Sequence, residues 1–450
     1  MSNRSVPIVT LVGRANVGKS SLFNALIGRR EAIVAKEAGT TRDSVIAKAT
    51  WQQKDFWLAD TAGLKSPEDD FEMTIQDQIL QAAASADLII VVVEATVPPT
   101  EEDRRIATMA LKTKKPLILA VNKIDTTRRA DLEIWRKLGV KKIMATSATQ
   151  KSGLNELLEI VAEHLPAAQI TEASNRLRLG ILGRPNVGKS SLFNALAHKQ
   201  QALVAARSGT TRDVNRAVIN YHNREIELLD TAGIRRSGKI EPGVERFSVL
   251  RSLATIEQSD INLLLMDACE LNVQLDQKIA GLIADAGKGL ILVVTKWDSL
   301  SKDSFSRDQM AAEIARNYPF VPWAPLIFTS ALTGQNVTKI FDLVLEIAAA
   351  RHQKFKTSEL NDWLQHSLSH QPPAGLKGRQ PSLNYTVQET DQQLPSFKIF
   401  GAHTKFLHWS YKRYLERQFR ETWPSVGTPI KFWYIEKKSS EQRTKSREPS

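Results

Sequence analysis

The chain has 450 residues, 42% hydrophobic and 24% charged, a net charge of +12 and a single cysteine, Cys269. That length exceeds one ordinary core and calls for two or three domains. No apolar run approaches the roughly 20 residues that span a bilayer, no signal-peptide pattern opens the chain, and one cysteine excludes an intrachain disulfide or cysteine-based metal cluster, so a cytoplasmic globular protein is expected.

In chain order, the apolar run 8–12 leads into GRANVGKSSLFNAL at 13–26. That is the strand–glycine loop–helix context in which GxxxxGK[ST] carries meaning. Gly13, Arg14, Ala15, Asn16, Val17 and Gly18 are expected to wrap a phosphate with backbone N–H groups at a helix N-terminus. Lys19 would place its charge between the β- and γ-phosphates, and Ser20 would offer its hydroxyl to Mg²⁺. In GTTRD (39–43), Thr41 is a candidate switch residue for Mg²⁺ and the γ-phosphate. Thr40 competes for that role, and spacing does not decide between them. The run 56–59 then delivers DTAG. Asp60 is expected beside Mg²⁺, and Gly63, after Thr61 and Ala62, to donate its N–H to the γ-phosphate. Loss of that phosphate would release both segments. Leu64 stands where Ras-like GTPases use a glutamine to orient water, a task no apolar side chain performs.

Runs at 88–93 and 117–121 lead to Asn122, Lys123, Ile124 and Asp125. A buried Asp125 carboxylate would accept from the guanine N1–H and N2–H₂. Adenine would leave it facing an acceptor, a mismatch worth discrimination of roughly 10⁴ or more. A run at 143–146 and SAT at 147–149 close the set.

The same order recurs 170 residues later. The run 179–182 precedes GRPNVGKSSLFNAL at 183–196. Gly183, Arg184, Pro185, Asn186, Val187, Gly188, Lys189 and Ser190 therefore repeat the phosphate loop. Thr211 repeats the switch threonine, with Thr210 as its competitor. Asp230, Thr231, Ala232 and Gly233 repeat DTAG, and Ile234 replaces Leu64. Arg235 and Arg236 fit either an arginine finger or a basic partner-binding segment. Runs at 226–229, 261–266, 290–294 and 326–329 complete the copy. Cys269, at the end of one of these, reads as a small buried residue. Thr295, Lys296, Trp297 and Asp298 answer to residues 122–125. Thr295 lacks the amide donor of Asn122. One neutral hydrogen bond is worth about 0.5–1.5 kcal/mol, so guanine binding should be weaker there by roughly two- to twelvefold.

Continuous apolar runs separated by helix-length stretches predict an α/β fold, a mostly parallel sheet covered by helices in each copy. The expected organisation is two tandem P-loop GTPase domains at 1–165 and 176–350, joined by a polar linker at 166–175. Beyond 350 the pattern changes. A helix at 358–369, strands at 382–390 and 396–402, a helical stripe of Leu407, Tyr411, Tyr414, Leu415 and Phe419, and a strand at 429–435 predict a small α-β-β-α-β domain over 351–436. The basic residues 437–450 have a disordered composition. Residues 351–450 hold 17 Lys and Arg against 9 Asp and Glu, which points to a polyanion, nucleic acid above all. Lys412, Arg413, Arg417 and Arg420, beside Tyr411 and Tyr414, are the RNA-contact candidates. GLKG at 375–378 mimics a KH clamp, but it precedes a strand, whereas that clamp joins two helices.

The chain resembles the bacterial double-Era-like GTPases of the Der (EngA) family. The resemblance rests on the tandem P-loop domains and on HQPPAGLKGR (370–379), HWSYKRYLERQFRE (408–421) and GTPIKFWY (427–434). It implies a KH-like C-terminal domain and hydrolysis of GTP to GDP with Mg²⁺. It also implies a role in assembly or maturation of the large ribosomal subunit, with that subunit, its precursors and ribosomal RNA as partners, no membrane, and a monomer. K⁺ held in part by Asn16 and Asn186 would stand in for the missing finger or glutamine. Lys19, Thr41, Gly63, Lys189, Thr211 and Gly233 then carry the catalytic roles. Thr295, Glu94 and Ala15 depart from the family's usual Asn, Asp and Pro. The competing reading is a GTP-gated signalling or scaffold protein that binds other proteins. A tRNA-modification GTPase usually carries one such domain inside a longer helical host.

Overall fold

The computed structural model describes residues 3–4, 6–28, 46–52, 54–60, 86–127, 131–165, 170–171, 176–198, 215–230, 248–300, 304–373, 379–390 and 394–436. These fall into two compact units. One holds the described residues up to 171 together with those at 248–258; the other holds 176–230 and those from 259 onward.

The first unit is built on a six-stranded sheet. Its strands are β1 (Ile8–Val12), β2 (Ile46–Trp51), β3 (Lys54–Asp60), β4 (Leu88–Glu94), β5 (Leu117–Asn122) and β6 (Lys142–Ala145), in the order β2-β3-β1-β4-β5-β6. Only the β2–β3 pair is antiparallel. β4, LIIVVVE, is buried on both faces, as a β-branched run inside a parallel sheet should be. Alternate side chains feed two layers. Leu88, Ile90 and Val92 pack in the core with residues of α1 (Lys19–Ile27) and α3 (Leu154–His164), including Leu22, Leu26, Leu157 and Val161. Ile89, Val91 and Val93 pack with Ile106, Ala107 and Ala110 of α2 (Glu101–Lys112) on the other side. A capping box fixes the start of α2: the Asp103 N–H donates to Thr100 Oγ1, and the Thr100 N–H to Asp103 Oδ2, each at 3.1 Å.

The second unit repeats this plan. β7 (Leu177–Gly183), β8 (Asn215–Tyr221), β9 (Arg224–Asp230), β10 (Ile261–Asp267), β11 (Gly289–Thr295) and β12 (Leu326–Phe328) lie in the order β8-β9-β7-β10-β11-β12. α4 (Lys189–His198) follows the phosphate loop, and α6 (Gln274–Asp285), α7 (Ser304–Asn317) and α8 (Lys339–Arg351) complete the helices. α5 (Ser248–Gln258) lies between β9 and β10 in sequence but belongs to the first unit. There Glu257 accepts from Trp57 Nε1–H at 2.5 Å and from the Val6 N–H at 3.2 Å.

The sequence pattern finds every parallel strand and misses β2 and β8. Both are antiparallel neighbours of a single strand at the sheet edge. In β8, Ala217, Ile219 and Tyr221 are buried in alternation with less buried residues, so there is no continuous run to see. Cys269 corrects another expectation: it lies two residues beyond β10 and is exposed. The chain leaves the sheet after Asp267, where Asp267 and Glu270 form an isolated bridge.

The C-terminal part shows the expected α-β-β-α-β order. α9 (Thr357–His370) is followed by β13 (Ser382–Glu389), β14 (Ser396–Ala402), α10 (Trp409–Thr422) and β15 (Lys431–Glu436). β14 pairs antiparallel with β13 and parallel with β15. Leu360 and Trp363 of α9, Phe397 and Ile399 of β14, and Tyr411, Leu415 and Phe419 of α10 make the core. Leu407 is buried too, but precedes the helix. Arg420 is a second correction. Its guanidinium turns inward, pairing with Glu416 at 2.9 Å and donating to the carbonyls of Ser425 and Thr428 at 3.1 Å each. It is a structural residue, not a free RNA contact. Most of the expected linker and all of the tail at 437–450 lie outside the described residues, as does GLKG. Among the described residues no helix is long and apolar enough to cross a membrane.

Candidate nucleotide-binding sites

In each unit the motif residues gather where parallel strands end, the usual ligand position in such sheets. The first phosphate loop joins β1 to α1. Asn16 is left-handed, φ 64°. Gly18 has φ 89°, and a Cβ there would run into Asn122 Nδ2, so both conformation and space require glycine. Lys19 is buried and curls over the loop, donating to the carbonyls of Gly13 (2.7 Å) and Arg14 (2.6 Å). Burial lowers its pKa, and the nearby Asp60 carboxylate opposes that shift. Ser20 Oγ donates to Asp60 Oδ2 at 2.5 Å, so the helix start and the end of β3 meet through two oxygen groups. That hard-oxygen pair fits Mg²⁺. Ala15 is exposed and Val17 buried.

A charged brace lies behind the loop. Glu94, the last residue of β4, accepts from Arg14 Nη2 and Lys123 Nζ at 2.7 Å each. Burial alone would raise the Glu94 pKa, but the hydrogen bonds from Lys123 and Arg14 outweigh it and hold the carboxyl below its ordinary value. Arg14 Nε also lies 3.3 Å from Asp103. Lys123 Nζ donates to the Asn16 carbonyl at 2.6 Å, and Lys123 is itself left-handed, φ 63°. Its role here is to tie the base-reading turn to the phosphate loop.

Asn122 makes the same tie with both ends of its amide. Nδ2 donates to the Val17 carbonyl at 3.0 Å, while Oδ1 accepts from the Ala148 N–H at 3.2 Å and from Thr146 Oγ1 at 3.4 Å. Ile124 and Asp125 follow in a short 3-10 turn. Asp125 is exposed.

The second site repeats the brace with different acids. Lys189 Nζ donates to the carbonyls of Gly183 (2.9 Å) and Arg184 (2.5 Å). Arg184 pairs with Asp276 at 2.9 Å and Glu270 at 2.8 Å, and Lys296 with Asp267 at 2.6 Å. Asn186 and Lys296 are left-handed at φ 63° and 56°. Val187 is buried, Ser190 exposed, and Asp230 ends β9. Trp297 is buried against Phe328, and Asp298 follows it in a 3-10 turn. Thr295 Oγ1 lies 2.7 Å from the Val187 carbonyl and 3.0 Å from that of Met266. The hydroxyl thus keeps the bond to the phosphate loop that Asn122 makes with its amide N–H. Among the described residues Thr295 makes no bond like the one Asn122 Oδ1 accepts from the Ala148 N–H. Space changes as well: a Cβ on Gly188 would lie 3.9 Å from Thr295 Oγ1, the nearest atom it meets among the described residues.

Thr41, Thr61, Ala62, Gly63, Leu64, Thr211, Thr231, Ala232, Gly233 and Ile234 lie outside the described residues, as do Thr40, Thr210, Arg235 and Arg236. Sequence reasoning named Glu94 only as a departure from the family's usual Asp and missed the bracing role of the acids. Glu94, Asp103 and Asn122 recur as Asp267, Asp276 and Thr295, each 173 residues later. That second, shifted offset was the available signal.

Comparison with known proteins agrees with this geometry. A family profile described as "50S ribosome-binding GTPase" matches residues 8–123 and again 178–296. A profile described as "KH-domain-like of EngA bacterial GTPase enzymes, C-terminal" matches 354–434. A protein of Chloroflexus aggregans named GTPase Der is 41% identical over 97% of this chain and 99% of its own. Proteins of the same name from Gemmatimonas aurantiaca (39%, 95% and 98%) and Gloeothece citriformis (38%, 98% and 99%) are similar to it over comparable spans.

Proposed function

The chain belongs to the Der (EngA) family of GTPases, and from that premise we propose that it acts in assembly or maturation of the large ribosomal subunit, with nucleotide state governing its hold on ribosomal RNA. The observation that carries the reading is the joining, in one chain, of two complete phosphate-loop and base-turn sets to a KH-like domain. The excess basic charge of the C-terminal hundred residues supports a polyanionic partner.

At each GTP site the phosphate-loop N–H groups would take the β-phosphate. Lys19 and Lys189 would exchange their loop carbonyls for phosphate oxygens. Ser20, Asp60 and Thr41, with Ser190, Asp230 and Thr211, would hold Mg²⁺, which supplies charge neutralisation on the phosphates. Gly63 and Gly233 would each donate a backbone N–H to the γ-phosphate. Asp125 and Asp298 would select guanine through its N1–H and N2–H₂. Leu64 and Ile234 cannot orient water, so intrinsic hydrolysis should be slow. Asn16 and Asn186 present exposed side chains on the loop, which suits a stimulatory K⁺; hydrolysis measured in K⁺ against Na⁺ tests that.

The functional reading is tested by pelleting the full chain with large-subunit particles in GDP and in a non-hydrolysable GTP analogue. Binding should depend on the nucleotide and fall steeply with salt. Equal binding in both nucleotides would overturn the switch.

A further inference from the structure

A polar cleft lies on the KH-like domain. It has a volume of about 330 Å³ and is lined by Gln371, Ser410, Arg413, Tyr414 and Arg417. Its floor is fixed. Tyr414 Oη donates to the Ser367 carbonyl at 2.9 Å, and Tyr411 Oη to that of Gln371, so both rings of α10 are pinned to the end of α9. Ser410 and Tyr414 stand at i and i+4, and Trp409, Arg413 and Arg417 at i, i+4 and i+8. The second row runs roughly 12 Å along the helix at 1.5 Å per residue.

The chemistry of the lining is that of an anion site. Two guanidinium forks and an amide line one space with Ser410, whose hydroxyl is bonded to His408 Nδ1 at 2.6 Å. Each guanidinium lies over an aromatic ring, Arg413 at 4.8 Å from the Trp409 centroid and Arg417 at 6.0 Å from that of Tyr414. Such stacking holds the planar fork and limits the rotamer freedom lost on binding. Glu421 Oε1 is 3.7 Å from Arg417 Nε at the exposed surface. Trp409, at the head of the row, is 52% exposed.

We propose that this cleft is a nucleotide subsite for single-stranded RNA, with a phosphodiester between Arg413 and Arg417 and a neighbouring base stacked on the Trp409 indole. A carboxylate would satisfy the forks as well as a phosphate. The exposed indole one helical turn away favours RNA, because every nucleobase has a face to stack and an acidic peptide has none. The subsite rests on the RNA-binding reading of the KH-like domain and assigns it a place. That place is neither the GLKG run nor Arg420.

The test is fluorescence anisotropy of labelled decauridine with the full-length protein, from 50 to 200 mM KCl. Each phosphate contact to a single strand contributes roughly 0.7 to the slope of log affinity against log salt. The one phosphodiester counts once, so R413Q/R417Q should flatten the slope by about 0.7, and R413K/R417K should keep it. W409A should weaken binding about five- to hundredfold without changing the slope. GTP hydrolysis and melting temperature serve as folding controls and should be unchanged. An unaltered slope in R413Q/R417Q overturns the subsite, as does equal competition by polyglutamate. Pelleting with large-subunit particles separates the two levels. If the wild type pellets normally and the variants bind decauridine as it does, only the cleft fails. If the wild type binds neither RNA nor particles, the functional reading falls with it.

Discussion

Replacing Thr295 by Asn should tighten guanine-nucleotide binding at the second site. Asn122 shows what the change supplies: a donor to the Val17 carbonyl at 3.0 Å and an acceptor for the Ala148 N–H at 3.2 Å. Thr295 already keeps the first link, through the Val187 carbonyl at 2.7 Å. The gain is therefore one neutral hydrogen bond that orders the loop beside the base, about 0.5–1.5 kcal/mol, or roughly two- to twelvefold in affinity. Asn122→Thr should lose the same amount at the first site. Neither change alters the Asp125 or Asp298 carboxylate, so preference for guanine over adenine should stay. Fluorescent GDP is titrated against the full chain with the other site disabled by Lys19→Ala or Lys189→Ala. A loss beyond about a hundredfold in Asn122→Thr would refute this account. It would mean that the amide touches the ligand itself rather than anchoring its surroundings.

Gly18→Ala and Gly188→Ala should differ. Both place a side chain at positive φ, a strain of about 1–2 kcal/mol, but only the first also collides with an asparagine amide. Gly188→Ala should weaken fluorescent GDP binding roughly five- to thirtyfold, and Gly18→Ala should abolish it at the first site. Glu94→Gln tests the charged brace. The folded-state carboxyl sits below its ordinary value, so its stabilisation is present above the unfolded value near 4.5 and is lost as pH falls through the folded one. Urea midpoints of the wild type should drop over that acidic window more than those of Glu94→Gln. Arg420→Ala should lower stability by about 2–4 kcal/mol by stripping donors from two carbonyls and a partner from Glu416. Calorimetry should show the loss, while the salt slope of RNA binding stays as it was.

Legibility followed how many neighbours decide a residue's surroundings. β1 and β4 were visible because a strand buried on both faces needs apolar residues at every position. β2 and β8 were not, because an edge strand shows only alternation. The phosphate loops could be read outright: left-handed residues and a close carbonyl contact tolerate few sequences. The anchoring acids could not, since Glu94 and Asp103 act on Arg14 across separate strands and helices. Arg420 was misread because a helix sequence does not reveal that the carbonyls of residues 425 and 428 need donors.

The two repeats differ in the tie that leads away from the phosphates. Both keep a lysine curled over its loop, an arginine braced by acids and a base-turn lysine paired to an acid. The link from residue 122 to the loop at 148 has no counterpart made by Thr295 among the described residues. In the proposed GTP site that loop would lie on the base side, which GDP and GTP share. A ligand shifts a conformational equilibrium only by its differential affinity for the two states. A looser base loop lowers the affinity of both nucleotides equally and leaves the ratio between them untouched. Affinity differences between related sites lie mostly in dissociation, so the second site should release GDP and GTP roughly two- to twelvefold faster than the first, as one neutral bond implies, with the GTP-to-GDP ratio equal at the two. Stopped-flow release of each labelled nucleotide would show it. A ratio that changes along with the rates would place the effect of Thr295 on the γ-phosphate side instead.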